Sequence, residues 1–328
     1  MYTYVRGSEY EDIAAAWDWD LIPGITTDYQ ATPLDCASTT RTGVENFVGG
    51  VSDWASGIAV MRYTNPMNGK LKWQKAWFFL DSGVIHVMVN ILASTSGAPV
   101  HSVLEQKRLS GKTYINGVID AGAGEYNNLQ TIWHNGVLWS FPGSTSLFLR
   151  KGQRTGAWSD IGTSPQPPTT VNMWAAWLQH KNINTPVEYT VFPNVEPENI
   201  ANKRNTTPIR TLVNNKDYSA IWDTAGRRIM LVFWKSTGGS VVVPTAQTGH
   251  APLTISTTIA MTLIVHLNSG MIVSSDPSQT QTSGTTLTFA FGSSGSLPGW
   301  WSGSNRTKWV WVSFPQGGYR GNVAWNWL

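Results

Sequence analysis

Short apolar runs, many of them without polar interruption, set the rhythm of this chain. "GIAVMRYT", "QKAWFFLD", "GVIHVMVNILAS", "TIWHNGVLWSF", "VEYTVFP" and "RRIMLVFW" are rich in β-branched and aromatic residues and are closed by Gly, Pro, Asn or Asp, which is the form of strands. In "RRIMLVFW", Ile229, Leu231 and Phe233 point to one side, and Met230, Val232 and Trp234 to the other. A strand that is apolar on both faces must lie between layers. The first part of the chain is therefore predicted to be a large multi-sheet β-sandwich. Helix is expected only over 9–19, where Ser8 and Glu11 have the spacing of a capping box ahead of the apolar run 13–17. "LIPGITTD" then closes the helix with a Pro-Gly turn. Before it, "TYV" at 3–5 reads as part of a strand.

The rhythm breaks at "VVVPTAQTGHAP" and resumes with "LTISTTIA", "MTLIVHLN", "TTLTFAFG", "TKWVWVSF" and "NVAWNWL". This second series predicts a smaller β-sandwich of about eighty residues. The expected fold class is all-β, with a central β-sandwich domain over 1–248 and a small C-terminal β-sandwich over 249–328. "SPQPPTT" is a Pro-rich connector inside the first domain. No fixed period suggests a propeller or solenoid.

Composition narrows the function classes. Charged residues make up 13% of the 328 residues, against about a quarter in an ordinary globular chain, which suits a turn-rich β-protein. The net charge is +3. The densest basic stretch, "LRKGQR", reads as a strand end, so nucleic acid is not an expected partner. No apolar stretch reaches membrane-spanning length, so no membrane insertion is expected. The opening residues lack the pattern of a signal peptide, and the sequence leaves the compartment unknown. Cys36 is the single cysteine and is expected to be a buried free thiol. Two sequons, at Asn205 and Asn305, would matter only in a secreted chain.

Several segments, taken in order, resemble polysaccharide lyase family 8, the hyaluronate, chondroitin AC and xanthan lyases. They are "AWDWDLIPGITTD", "FVGGVSDWASGIAVMRY", "KAWFFLDSGVIHVMVNI", "VLEQKRLSG", "TIWHNGVLWSF", "TGAWSDIG", "VEYTVFPN" and "SSDPSQT". The resemblance covers nearly the whole chain. It implies a central multi-sheet β-sandwich, a small terminal β-sandwich, and an α/α toroid that would precede Met1. It also implies β-elimination on a uronate polysaccharide, with Asn, His, Tyr and Arg supplied by that toroid and a Glu-Asn-x-x-Gly segment upstream of Met1. Glu45 and Asn46 in "ENFVG" spell the last motif, but they precede "FVGG", which matches a later family segment, and read as loop residues before a strand.

No catalytic residue is expected in this sequence. His86 and His266 lie in apolar strands, and His101, His180 and His250 lie near turns. No Gly-x-Ser-x-Gly elbow appears. Asp18, Asp20 and Asp28 could hold Ca²⁺, but capping and turn roles explain them more simply. Neither a metal nor a cofactor is expected.

The 18 Trp residues are the strongest functional signal. Trp73, Trp77, Trp174, Trp177, Trp222 and Trp234 fit a space-filling role between sheets. Three loop positions suit stacking on sugar rings instead. They are Trp54 in "SDWASG", the set Trp133, His134 and Asn135 in "WHNG" (which is also a tight-turn sequence), and Trp300 and Trp301 in "SLPGWWSGSN". The expected function is non-catalytic, lectin-like glycan or polysaccharide binding, by the β-domains of a lyase without its toroid. The alternative is the C-terminal part of an active uronate-polysaccharide lyase. A third reading is a ligand-free β-domain pair forming a homo-oligomer through "NVAWNWL".

Overall fold

A computed structural model describes residues 7–32 and 42–328. The expectations for "TYV" at 3–5 and for Cys36 lie outside the described residues. The chain is all-β as expected, with a large multi-sheet part followed by a smaller C-terminal β-sandwich. Its described residues fall into two compact units. One gathers 7–32, 42, Thr64–Trp73 and Ile91–Thr206; the other gathers Gly43–Tyr63, Gln74–Asn90 and Thr207–Leu328.

In the first unit, strand Thr169–Gln179 lies between Val100–Arg108 and the long strand Val137–Gly156, all antiparallel. Val137–Gly156 also pairs with Val187–Phe192 and with Gly124–His134. The last pairing closes through Asn135 and Gly136, both in the left-handed region (φ 46° and 79°), as an Asn-Gly hairpin requires. The one helix expected, over 9–19, is instead three separate 3₁₀ turns, Ser8–Tyr10, Ala14–Ala16 and Trp19–Leu21. Asp12 adopts a positive φ of 51° between the first two, and no side-chain cap holds the first. Tertiary burial explains the break. Ile13 and Ala16 pack on Val171 and Met173, while Leu21 packs on Val103 and Ala175. A regular 3.6-residue period would not present both groups to a flat sheet.

In the second unit, Val48–Ser52 and Gly57–Thr64 form a hairpin. A six-stranded antiparallel sheet runs in the order Ile209–Asn214, Tyr218–Asp223, Arg228–Phe233, Met261–His266, Met271–Ser275, Ala324–Trp327. A four-stranded sheet runs Gly239–Val243, Leu253–Thr257, Gly284–Phe291, Thr307–Ser313. Position 248 ends the short helix Thr245–Thr248, which joins two paired strands of that four-stranded sheet. The C-terminal sandwich therefore draws strands from both sides of it.

Ile229, Leu231 and Phe233 enter the sandwich core with Leu263, Ile255, Leu287 and Phe289. Met230, Val232 and Trp234, on the opposite face, are just as inaccessible. The two-sided apolar pattern thus marks a strand covered on both sides. Truncating such a residue removes transfer energy and leaves a cavity. Leu231→Ala is expected to cost about 3 kcal/mol in urea unfolding, and a loss below about 1 kcal/mol would show that the sandwich core is not packed as described.

Candidate functional site

The hairpin tip "VSDWAS" is built around one carboxylate. Asp53 Oδ1 accepts from the backbone N–H groups of Ala55 (3.1 Å) and Ser56 (2.6 Å) and from the Ser56 hydroxyl (3.0 Å). This is an Asx-type turn. Ser52 Oγ accepts from Trp54 N–H and donates to the Ser56 carbonyl. Gly50 lets the two strands close, because a Cβ there would stand 2.2 Å from the Ile58 carbonyl oxygen. Trp54 is consequently held at φ 76°, a conformation a bulky residue adopts only under constraint. Its side chain is 88% exposed.

The constraint extends into the six-stranded sheet. Asp223, Arg228 and His266 are direct partners across three consecutive strands, so register alone places them in one row on one face. Arg228 Nη1 lies 3.2 Å from Asp223 Oδ2, and Nη2 lies 2.9 Å from Asp81 Oδ2. Asp53 Oδ2 approaches Arg228 Nε (3.3 Å) and His266 Nε2 (2.9 Å). Those two contacts have ion-pair distances without hydrogen-bond alignment. Burial acts to raise the Asp53 carboxyl. Its contacts with His266 and Ser56 and the charge of Arg228 outweigh that, and hold it well below the usual carboxylate range. For Asp223, burial prevails and its value is raised despite the Gly226 N–H and Arg228.

Beside the tip lies an open cleft of about 940 Å³, whose lining includes Ser52, Trp54, Phe79, Tyr319, Asn322 and Val323. No lining residue is Lys, Arg, His, Asp or Glu. Trp54 lies nearly parallel to Trp325, with centroids 6.4 Å apart and planes 13° apart, and Tyr319 is 71% exposed. An aromatic rim over a cleft with hydroxyl and amide groups can take an apolar ring face edged by polar groups.

The other sequence candidates are placed differently. Trp133 is buried, donates Nε1–H to the Val195 carbonyl (2.6 Å) and meets Tyr114 edge-on. His134 is fully buried and stacked on Trp174 with centroids 4.5 Å apart. Burial, aided by the charge of Lys107, pushes its imidazole down to about 3, so it is a neutral core group. Asn135 forms the turn and donates to Glu9 Oε1. The Trp300–Trp301 pair, expected to be hard to hide from water, is largely hidden. Trp301 is 5% exposed, and the two indoles donate to the carbonyls of Asn305 (from Trp301) and Leu267 (from Trp300). Backbone acceptors, one inside the loop and one just after strand Met261–His266, remove the reason for these N–H groups to face water. Of the six residues, Trp54 alone stands at the cleft. Asp53, Tyr319 and Trp325 join it unforeseen. Asp53 was legible as the Asp of a Ser-Asp-x-x-Ser turn, whereas Tyr319 and Trp325 arrive from over 260 residues away and leave no local signal.

Other polar groups are engaged with one another within the fold. Ser102 Oγ lies 2.8 Å from His180 Nε2, but Ser102 is fully buried and also contacts Thr26. The Asp18 carboxylate meets Arg150 (2.9 Å), Arg154 (3.8 Å) and Tyr29. Among the described residues, no group of three or more His, Cys, Asp or Glu side chains is disposed to hold a metal ion, and no helix is long and apolar enough to cross a membrane.

Comparison with known proteins gives this architecture its class, that of the β-domains of polysaccharide lyases. The family model "Polysaccharide lyase family 8, super-sandwich domain" matches residues 1–204, and "Polysaccharide lyase family 8, C-terminal beta-sandwich domain" matches 210–285. The chain belongs to polysaccharide lyase family 8. It is 27% identical over 288 residues to chondroitinase-AC of Pedobacter heparinus, covering 84% of this chain and 39% of that protein. It is 23% identical over 187 residues to xanthan lyase of Bacillus sp. (strain GL1), covering 51% of this chain and 20% of that one. Among solved structures, a chondroitinase AC lyase determined with oligosaccharides superposes with a TM-score of 0.82 at 23% identity, over 98% of this chain and 46% of that chain. A Paenibacillus xanthan lyase gives 0.81 at 19% identity, over 98% and 32%. The chain thus spans under half the length of these relatives.

The network has a pH signature. Because the folded-state value of Asp53 is depressed, its contribution is complete above the unfolded value of about 3.9 and is lost as pH falls below that toward the folded value. Asp53→Asn is expected to lower stability at neutral pH by about 3 kcal/mol. It should also flatten the acid-side loss, measured as urea unfolding from neutral pH down to about pH 3. Parallel pH profiles for the two proteins would refute this role.

Proposed function

We propose that this chain binds polysaccharide through the cleft at Trp54 without cleaving it, as a lectin-like β-module. One observation carries the reading: a large aromatic side chain is displayed almost fully to water on a strained loop that a buried ion network holds in place. An indole left almost fully in water at a position of backbone strain gains little from burial, and such sites are where strain and function coincide. Sugar rings, with apolar C–H faces and hydroxyl edges, match the nearly parallel Trp54–Trp325 pair and the Ser52 and Asn322 side chains of the lining.

A second reading makes the same chain the β-part of an active uronate-polysaccharide lyase. In its favour, the chain spans 39% of the length of a chondroitinase. β-Elimination needs a base, an acid and neutralisation of the uronate carboxylate; the lining of the Trp54 cleft offers one phenol, Tyr319, and no cation. That balance favours binding at this cleft.

A glycan array of neutral, sialylated and uronate-containing sugars, paired with an assay for unsaturated uronate product, separates the readings. Binding without product is expected. Product released by this chain would establish the second reading, and a blank array would overturn the first. Trp54→Ala should weaken binding by about thirtyfold, about 2 kcal/mol, with an unchanged melting temperature.

A further inference from the structure

The four-stranded sheet of the C-terminal sandwich buries one face, with Val243, Leu253, Ile255, Leu287 and Phe289 fully inaccessible, and turns the other outward. Register sets the outward positions in rows: Ser240, Ser256, Thr288 and Trp309 in one, Val242, Thr254, Ala290 and Thr307 in the next, then Thr286 with Trp311. None is charged. The solvent face of an antiparallel sheet is ordinarily polar; here it carries hydroxyls and two large apolar plates. Trp309 is 65% exposed and Trp311 57%.

The plates are placed, not loose. Trp311 lies over Gly284, where an added Cβ would come within 2.9 Å of its Cε2 and Cζ2 atoms, and its Nε1–H donates to Ser313 Oγ at 3.3 Å. Gly284 pairs with Ser313 and so lies diagonal to Trp311, and a glycine there lets the ring lie across the neighbouring strand. Two residues apart on one strand, Trp309 and Trp311 project from the same side about 7 Å apart along it. Farther along the Trp309 row, beyond Thr288, Ser256 donates to Ser240 at 3.0 Å.

We propose that this face is a second polysaccharide-binding surface, suited to an uncharged glycan chain lying along the strand Thr307–Ser313. Ring faces of such a chain stack on the two indoles while its hydroxyls meet Thr286 and Thr288 on the neighbouring strand. A uronate or sulphated chain would find no cation in these rows. An apolar protein partner would find, besides the indoles, only Val242 and Ala290 as aliphatic contacts. The inference extends the glycan-binding reading above, but stands on different residues from the Trp54 cleft.

The test uses the full chain and two insoluble neutral probes, microcrystalline cellulose and colloidal chitin, with depletion from solution measured at low and high salt. Wild type and Trp54→Ala are expected to adsorb equally to at least one probe. Trp309→Ala combined with Trp311→Ala should lose about tenfold or more while keeping its circular dichroism and melting temperature. High salt should not weaken adsorption, since no charge pairs are involved. Equal adsorption by the double variant, or no adsorption by wild type to either probe, would overturn the proposal. So would a dimer in sedimentation velocity that the double variant abolishes, since the face would then be an interface between copies. Failure of the cleft reading shows separately, as soluble-glycan binding that survives Trp54→Ala.

Discussion

The position of Arg228 is the constraint on which the second unit's candidate site depends. Register brings Asp223 and His266 to its two sides on neighbouring strands, and the hairpin delivers Asp53 to the same point. Three carboxylates then share one guanidinium. This surplus of negative charge cannot be equally satisfied in a low-dielectric setting. The opposite shifts of Asp53 and Asp223 are the outcome: His266, Ser56 and Arg228 hold the first carboxyl low, and burial prevails at the other. A buried network of this kind is a poor source of net stability compared with apolar packing, but it specifies geometry. Here the specified geometry is a hairpin tip, and the tip displays Trp54.

The strand pattern was legible because burial on both faces is itself a sequence signal. Gly57–Thr64 and Val187–Phe192 were readable to within a residue or so. The Asn-Gly turn at 135–136 was readable from two residues, since only a few side chains tolerate its backbone angles. The stretch 9–19 was not readable. Its apolar residues suit a helix, but what they pack against is a sheet more than 140 residues away in sequence, and local propensity gives way to that contact. Pairing across Thr245–Thr248 was equally hidden, because a Pro- and Gly-rich segment looks the same whether it joins two domains or two strands.

The aromatic sites divide along another line. A tryptophan has one polar atom, so an acceptor for its N–H lowers the cost of burying it. Trp133, Trp234, Trp300 and Trp301 all find a carbonyl or hydroxyl acceptor. For three of these the acceptor is a main-chain carbonyl, which no side-chain pattern announces. "GWWSGSN" therefore looked like an exposed loop although its own backbone at Asn305 supplies the acceptor. Trp54 was readable because Ser-Asp and Ser flank it, and a turn made by those side chains leaves its residue no strand to join. Trp309 and Trp311 were overlooked for the opposite reason: "KWVWV" reads as a core strand until pairing shows which face is covered.

Charge sharpens what these aromatic faces can recognise. The chain is basic overall, and several of its basic groups are engaged elsewhere. Arg150 and Arg154 meet Asp18, Lys151 meets Asp120, and Arg228 lies inside its carboxylate cluster. Neither the cleft lining nor the outward rows of the four-stranded sheet hold a cation. An anionic polysaccharide carries charges that call for basic partners. A surface that binds by stacking and hydroxyl contacts gains nothing from such charges and loses whatever desolvating them costs. On the proposed reading, the composition of both surfaces calls for recognition by ring face rather than by charge, and so for neutral or sparsely charged glycans.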